Sequence, residues 1–307
     1  MKIGLATPDG LWASDLDSRR ELLAQVAAAG VDHVFMADHV SFRNGSGTDG
    51  FVEIAGLSQL HPTLGVMISI YLLPLRHPVP VARQLATVNR LAPGRVLFGV
   101  GIGGEDRHEI EVCGVDPATR GRRMNESLSV LRGLMGGEEV TFHGEFFDLD
   151  RALIRPAIEP AIPIIVGGRS DAALVRAGRL GDGWIGAWCS VRRFSQALGI
   201  IDDAAEQAGR VAVDWQHGYQ PWVGVGDTRD EARGRVAEAM EAFYKVPFES
   251  FEKYTPFGTP DEVASQLGGY VEAGCRLMNF KVVAGNDAEA IAAMGEIGRA
   301  LREVAAA

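Results

Sequence analysis

Short apolar runs alternate from end to end of the chain with segments whose apolar residues recur every three or four positions. That alternation is the sequence form of repeated βα units around a parallel sheet. Eight runs stand out, at residues 2–6, 33–37, 63–70, 95–100, 163–166, 183–187, 215–225 and 276–283. They show little polar alternation, as expected of strands covered on both faces, and eight is the barrel number. The pattern predicts an α/β fold, a (β/α)8 TIM barrel forming a single domain over residues 1–307. Barrels of this class commonly use such a length for one core.

Helix starts are legible between these runs. Ser18-x-x-Glu21 precedes Leu22, Leu23 and Val26, so a capping box is expected there, with Gly30 ending the helix. Thr228-x-x-Glu231 predicts a second box, and Thr259-Pro260-Asp261-Glu262 a third with proline in the first turn. After Pro78, the residues Val81, Leu85 and Val88 form an apolar stripe that ends at Pro93-Gly94. Two segments exceed a minimal barrel and are read as insertions after strand 4 and strand 7. The first, 101–162, holds a helical pattern through Met124, Leu128, Leu131 and Met135 and a hairpin around residues 142–147. The second, 243–257, carries Tyr244, Phe248, Phe251 and Tyr254 at helix-like spacing, which fits either core packing or a lid over the substrate.

Composition narrows the function classes. A net charge of −10 disfavours nucleic acid and anionic lipid as partners, since both call for a concentrated positive surface. No uninterrupted apolar run is long enough for a bilayer span, and the opening Met1-Lys2-Ile3-Gly4-Leu5 lacks the form of a signal peptide. A soluble, cytoplasmic protein acting on a small molecule is expected. Cys113, Cys189 and Cys275 are far apart and odd in number, which argues against a disulfide framework or a cysteine-rich metal site. A metal-dependent hydrolase would need several ligands at different strand ends, yet there is neither H-x-H nor H-E-x-x-H, so no metal is expected.

In such barrels chemistry collects where strands end. Asp38-His39 directly follows Val34-Phe35-Met36-Ala37, which would place a carboxylate and an imidazole at the mouth as candidate catalytic residues. A strand-end histidine held by a capping bond would look the same. Ile164-Ile165-Val166 runs into Gly167, Gly168, Arg169 and the N-cap candidate Ser170. Glycines, a helix N-terminus and a guanidinium together can cradle a phosphate, although a plain strand-to-helix turn shares this pattern. Gly99-Val100-Gly101-Ile102-Gly103-Gly104 has the wrong spacing for a dinucleotide fingerprint. Gly101 instead either opens a pocket floor to a flat ring or marks a bent strand end. Ser69 could donate to that ring or cap its own backbone.

The chain resembles the luciferase-like monooxygenase superfamily, and particularly its coenzyme F420-dependent oxidoreductases. The resemblance is carried by Ala37-Asp38-His39, Leu73-Pro74-Leu75-Arg76-His77-Pro78, Ala82-Arg83-Gln84-Leu85-Ala86-Thr87, Leu91-Ala92-Pro93-Gly94-Arg95 and Gly99-Val100-Gly101. It continues through Gly121-Arg122-Arg123-Met124-Asn125-Glu126, Val166-Gly167-Gly168 and Gly181-Asp182-Gly183-Trp184. The resemblance implies a ring cofactor against the third strand, at a bulge with a non-prolyl cis peptide near Ser69. It implies that Asp38 and His39 face the reacting centre and that Gly167 and Gly168 hold the phosphate. Arg169 is added on charge alone, and Arg120, Arg122 and Arg123 either hold an anionic tail or form a solvated helix face. Glu105 follows an extra glycine relative to some relatives, which weakens its claim to an acid role. The implied activity is hydride transfer between coenzyme F420 and a small organic substrate, in either direction, by a homodimer. The alternatives are an FMN enzyme that uses reduced flavin and dioxygen to insert one oxygen atom, and a cofactor-binding protein without turnover.

Overall fold

The computed structural model describes residues 1–104 and 106–306. In chain order the elements are β1 (Lys2–Ala6), α1 (Leu16–Ala28), β2 (His33–Met36), α2 (Gly50–Leu60), β3 (Gly65–Leu72), α3 (Pro78–Leu91), β4 (Val96–Gly101), α4 (Arg107–Val112) and α5 (Arg120–Met135). There follow β5 (Val140–His143), β6 (Asp148–Ala152), β7 (Ile164–Gly167), α6 (Asp171–Leu180), β8 (Gly183–Gly186), α7 (Val191–Gln207), β9 (Gly218–Tyr219) and β10 (Trp222–Val225). The chain ends with α8 (Arg229–Tyr244), β11 (Phe257–Gly258), α9 (Pro260–Glu272), β12 (Leu277–Val283) and α10 (Asp287–Ala306). This is the (β/α)8 barrel class, with additional elements after β4 and after α8. Its residues form two compact units, each drawn from separated stretches of chain.

One unit comprises Met1–Phe35, Ile185–Gly199 and Gln216–Ala307. Here β1 pairs in parallel with β2 and with β12, while β12 also pairs with β9 and β10. The run read as one strand over 215–225 is two short strands, because Pro221 between them has no N–H to give to a ladder. Gly4, His33 and Asn279 share one face, and a Cβ at Gly4 would overlap both the His33 ring and the Asn279 amide. Asn279 donates through Nδ2 to Gln220 Oε1 at 3.1 Å, leaving its Oδ1 to accept from His33 Nε2 at 2.8 Å. His33 therefore carries its proton on Nε2, and its Nδ1 has no hydrogen-bond partner among the described residues.

The helix caps in this unit follow chemistry more finely than the motif does. The box expected at Ser18 does not form; α1 begins earlier, and Asp15 caps it by accepting from Ser18 N at 2.9 Å. Thr228 caps α8, but Glu231 reaches Asp227 N rather than Thr228 N, so only half of that box exists. At Thr259 the box is complete, with Pro260 in the first turn. The 243–257 segment is not one helix. Lys245 turns left-handed at φ 57° and two single turns follow, Phe248–Ser250 and Glu252–Tyr254. Phe248 is buried with Trp222, Val236, Met240 and Phe257, and Tyr244 and Phe251 pack against that cluster. Core packing is thus seen at Phe248, while Phe243, Tyr244 and Phe251 are only partly buried beside it.

The other unit comprises Met36–Trp184 and Ile200–Trp215. Its strands β3, β4 and β7 lie side by side in parallel, with a register shift in β3 between Ile68 and Tyr71. The stripe Val81, Leu85, Val88 is buried, as are Met124, Leu128, Leu131 and Met135 of α5. The expected hairpin is β5 and β6, antiparallel. Its turn is pinned to α5 because the Glu126 carboxylate accepts from the amides of Glu145, Phe146 and Phe147 at 2.8, 3.0 and 3.3 Å. Among the described residues no helix is long and apolar enough to cross a membrane.

Burial holds two imidazoles of the first unit neutral. Desolvation pushes the His33 pKa down to about 4 against the opposing pull of its Asn279 bond, and desolvation does the same to His217, also to about 4. Below pH 6.5 the unfolded chain takes up protons that the fold refuses. Stability is therefore complete above pH 6.5 and falls toward pH 4 by roughly 1.4 kcal/mol per pH unit per histidine. Urea titrations across that range should show a shallower acid loss for His217→Gln than for the parent, and an identical loss would refute the assignment. At the α9 cap, Thr259→Ala should cost about 1 kcal/mol in the same assay.

Candidate active site

Asp38 lies just past β2 and is 1% exposed. A buried carboxylate needs its lone pairs filled. Oδ1 accepts from Gly50 N at 3.0 Å and Arg76 Nη2 at 2.8 Å, and Oδ2 accepts from Leu72 N at 3.0 Å and faces Arg76 Nη1 at 2.7 Å. Arg76 lies over the Tyr71 ring at 4.4 Å and also donates to Leu72 O at 3.2 Å. Burial raises the Asp38 pKa, with the Arg76 charge pulling it back down. The carboxylate thus ties the start of α2 and the end of β3 to the residue that precedes His39.

His39 has a partner of its own. Its Nδ1 lies 3.1 Å from Oε2 of Glu109, which is 3% exposed, and Glu109 Oε1 accepts from Val40 N at 2.7 Å and Ser41 N at 3.2 Å. An ionised carboxylate can only accept, so Nδ1 carries the hydrogen of this bond and Nε2 is left for other chemistry. Phe42 packs against the imidazole with ring centroids 4.3 Å apart. The His39 side chain keeps 21% of its surface exposed, unlike the sealed His33 and His217. Sequence reading missed Glu109 because α4 sits inside the 101–162 insertion, 70 residues from its partner. Arg76 was visible only as part of the Leu-Pro-Leu-Arg-His-Pro run.

The Ser69–Ile70 peptide is cis, at the register shift of β3, and Ser69 is 4% exposed. The glycines around it have a local cause. A Cβ at Gly101 would fall inside the Ile70 side chain, and one at Gly167 would lie 3.1 Å from Ile70 Cγ2. Both therefore make room for Ile70, which the bulge turns toward β4 and β7. Gly168 has φ +136°, and a Cβ there would stand 2.7 Å from that of Ala173. Its carbonyl accepts from the Trp184 indole at 2.7 Å. Ser170 caps α6 by accepting from Ala173 N at 3.3 Å, and Arg169 is exposed beside it. Residues 167–170 thus form a side-chain-poor turn leading into a capped helix N-terminus, a shape and polarity that fit a phosphate.

The remaining basic candidates are already engaged. Arg120 donates to Gly103 O at 3.1 Å and Pro117 O at 2.7 Å, and Arg123 to Pro74 O at 3.3 Å with its guanidinium 4.9 Å from the Phe146 ring centre. Arg122 pairs with Glu145 at 2.6 Å on the surface. Glu105 lies outside the described residues. Asp38, His39, Ser69, Gly101, Gly167, Gly168 and Arg169 all belong to the second unit.

Comparison with known proteins gives these features a setting. The model of the luciferase-like monooxygenase family matches residues 1–277. An F420-dependent glucose-6-phosphate dehydrogenase of Beutenbergia cavernae is 33% identical over 294 residues, covering 83% of this chain and 85% of the relative. An uncharacterised protein of Mycobacterium bovis is 35% identical over 162 residues, 53% of this chain, and the match spans 56% of that relative's length. Among solved structures, an F420-dependent secondary alcohol dehydrogenase in complex with an F420-acetone adduct superposes with a TM-score of 0.83 at 20% identity, covering 98% of this chain and 99% of that one. That last likeness carries the fold.

The Asp38 network makes a direct prediction. Arg76→Ala leaves the Asp38 carboxylate buried with its charge unbalanced and should cost about 3–5 kcal/mol at neutral pH. Since the folded-state pKa of Asp38 lies above its unfolded value, the group's contribution to stability falls as pH rises through that interval. The Arg76→Ala deficit should accordingly shrink in acid, where the carboxyl is neutral. Chemical denaturation at two pH values checks this, with Asp38→Asn combined with Arg76→Met expected to recover part of the loss.

Proposed function

The chain belongs to the luciferase-like monooxygenase family, and from that membership we propose that it is an oxidoreductase exchanging hydride between coenzyme F420 and a small organic substrate. The observation that carries the reading is the Glu109–His39 couple, a partly exposed imidazole oriented by a buried carboxylate at the end of β2. Relatives named as F420-dependent glucose-6-phosphate dehydrogenases, matched over 83% of the chain, support the choice of cofactor. When bound, the deazaflavin supplies a ring carbon able to give or take hydride.

The chain's own residues do the rest. An alcohol that loses hydride must also lose its hydroxyl proton, and a carbonyl that gains hydride must gain a proton. His39 takes or gives that proton at Nε2, while Glu109 holds Nδ1–H and balances the imidazolium. Asp38 enters as a positioning residue, since both of its oxygens are committed to Gly50, Leu72 and Arg76. Gly167 and Gly168, with the α6 amides and Arg169, would hold the phosphate. Ser69 and Gly101 flank the Ile70 bulge on which the ring would rest.

Separate titrations with F420 and FMN, followed by absorbance, test the cofactor. F420 should bind tightly and Gly168→Trp should abolish binding, whereas tight FMN binding without F420 binding would overturn the choice. With a panel of small alcohols, His39→Ala should bind F420 as the parent does yet slow its reduction by about 10²-fold or more. Undiminished reduction would remove His39 from the chemistry.

A further inference from the structure

Among the described residues, the first unit carries a cation without a hydrogen-bonded or ion-paired partner. Lys281 lies on β12 two residues beyond Asn279, so its side chain leaves the strand on the face shared with Gly4 and His33, nearer the strand's C-terminal end. Barrels place their ligands at that end. The register sets Lys281 beside Trp222 of β10, and its ammonium lies 4.1 Å from the Trp222 ring centre and 4.8 Å from that of Phe243. Among the described residues no hydrogen bond or ion pair engages that ammonium. Desolvation lowers its pKa, opposed by the Asp9 charge.

The surroundings are aromatic. Trp222 Nε1 donates to the Tyr244 hydroxyl at 3.0 Å, and Trp188 meets Tyr244 and Phe251 with ring centroids 5.0 and 5.1 Å apart. Phe243, Tyr244, Phe251 and Trp188 are all only partly buried. A half-buried ammonium that has lost water and gained only ring faces retains unspent capacity for an oxyanion. One ammonium is a point charge that balances one negative charge, whereas a dianionic phosphate calls for further donors to balance the second.

We propose that Lys281 receives the carboxylate of a small-molecule ligand whose flat apolar body lies against Phe243 and the partly buried aromatic rings beside it. The site lies within the first unit and goes beyond the oxidoreductase reading, with monoanionic aromatic acids rather than sugar phosphates as its ligands.

Isothermal titration of the full chain with 2-naphthoate and with 2-naphthamide tests the assignment without any turnover. The acid should bind about tenfold or more tighter than the amide. Lys281→Met should erase that preference while leaving amide affinity unchanged, and Lys281→Arg should keep it. Equal binding of the two probes, no binding of either, a preference that survives Lys281→Met, or displacement of naphthoate by lower concentrations of glucose 6-phosphate would each overturn the proposal. If Lys281→Met fails to fold, the acid-to-amide ratio of the parent still decides. F420 titrations of the same samples report separately on the oxidoreductase reading, which can fail while the acid preference stands.

Discussion

A carboxylate taken out of water must find partners for both oxygens, and much of the candidate site is arranged around meeting that demand at Asp38. Its acceptors are filled by two backbone amides, Gly50 and Leu72, and by both terminal nitrogens of Arg76. Each backbone bond anchors an element that does something else: Gly50 begins α2, and Leu72 ends the strand that carries the Ser69–Ile70 bulge. Arg76 is in turn stacked on Tyr71, which packs edge-on against Phe51 at 4.9 Å. Removing water from the carboxylate makes each of these contacts worth more than it would be at the surface. His39 inherits its place from this network because it is the next residue in the chain.

How much of this was legible in the sequence depends on how local its cause is. Seven of the eight apolar runs are single strands with ends within two residues of those expected, since burial on both faces writes a continuous apolar signal. The run at 215–225 failed because Pro221 carries a backbone effect that hydrophobicity does not register. At α1 the motif Ser-x-x-Glu lost to Asp15, three residues earlier, whose carboxylate accepts from Ser18 N and starts the helix a turn before the motif could. Glu109 and Arg76 could not be found by spacing at all. Their partners lie 70 and 38 residues away, and only the fold brings such charges together.

The glycines separate two meanings that one letter shares. Read as sequence, Gly101 and Gly167 suggested open space for a cofactor, yet the space each leaves is occupied by Ile70. Gly168 is glycine for its backbone, at φ +136°, and for its closeness to Ala173. These reasons are sufficient in themselves, so the identity of the residues is weaker support for a phosphate than the helix N-terminus they lead into. A cofactor reading built on the turn's exposed amides therefore rests on firmer physical ground than one built on a count of glycines.

The histidines make the complementary point about chemistry. Burial holds His33 and His217 neutral over the physiological range, and His33 gives its Nε2 hydrogen to Asn279. His39 differs in two respects that matter for proton transfer. It keeps a share of its surface, and it faces a carboxylate that is itself fixed by two backbone amides and so cannot follow the ring if it turns. A rigid acceptor on Nδ1 gives the imidazole one tautomer and one direction for Nε2. That directional constraint, more than the mere presence of a histidine at a strand end, is what distinguishes a group able to move a proton at a chosen atom from one that fills space.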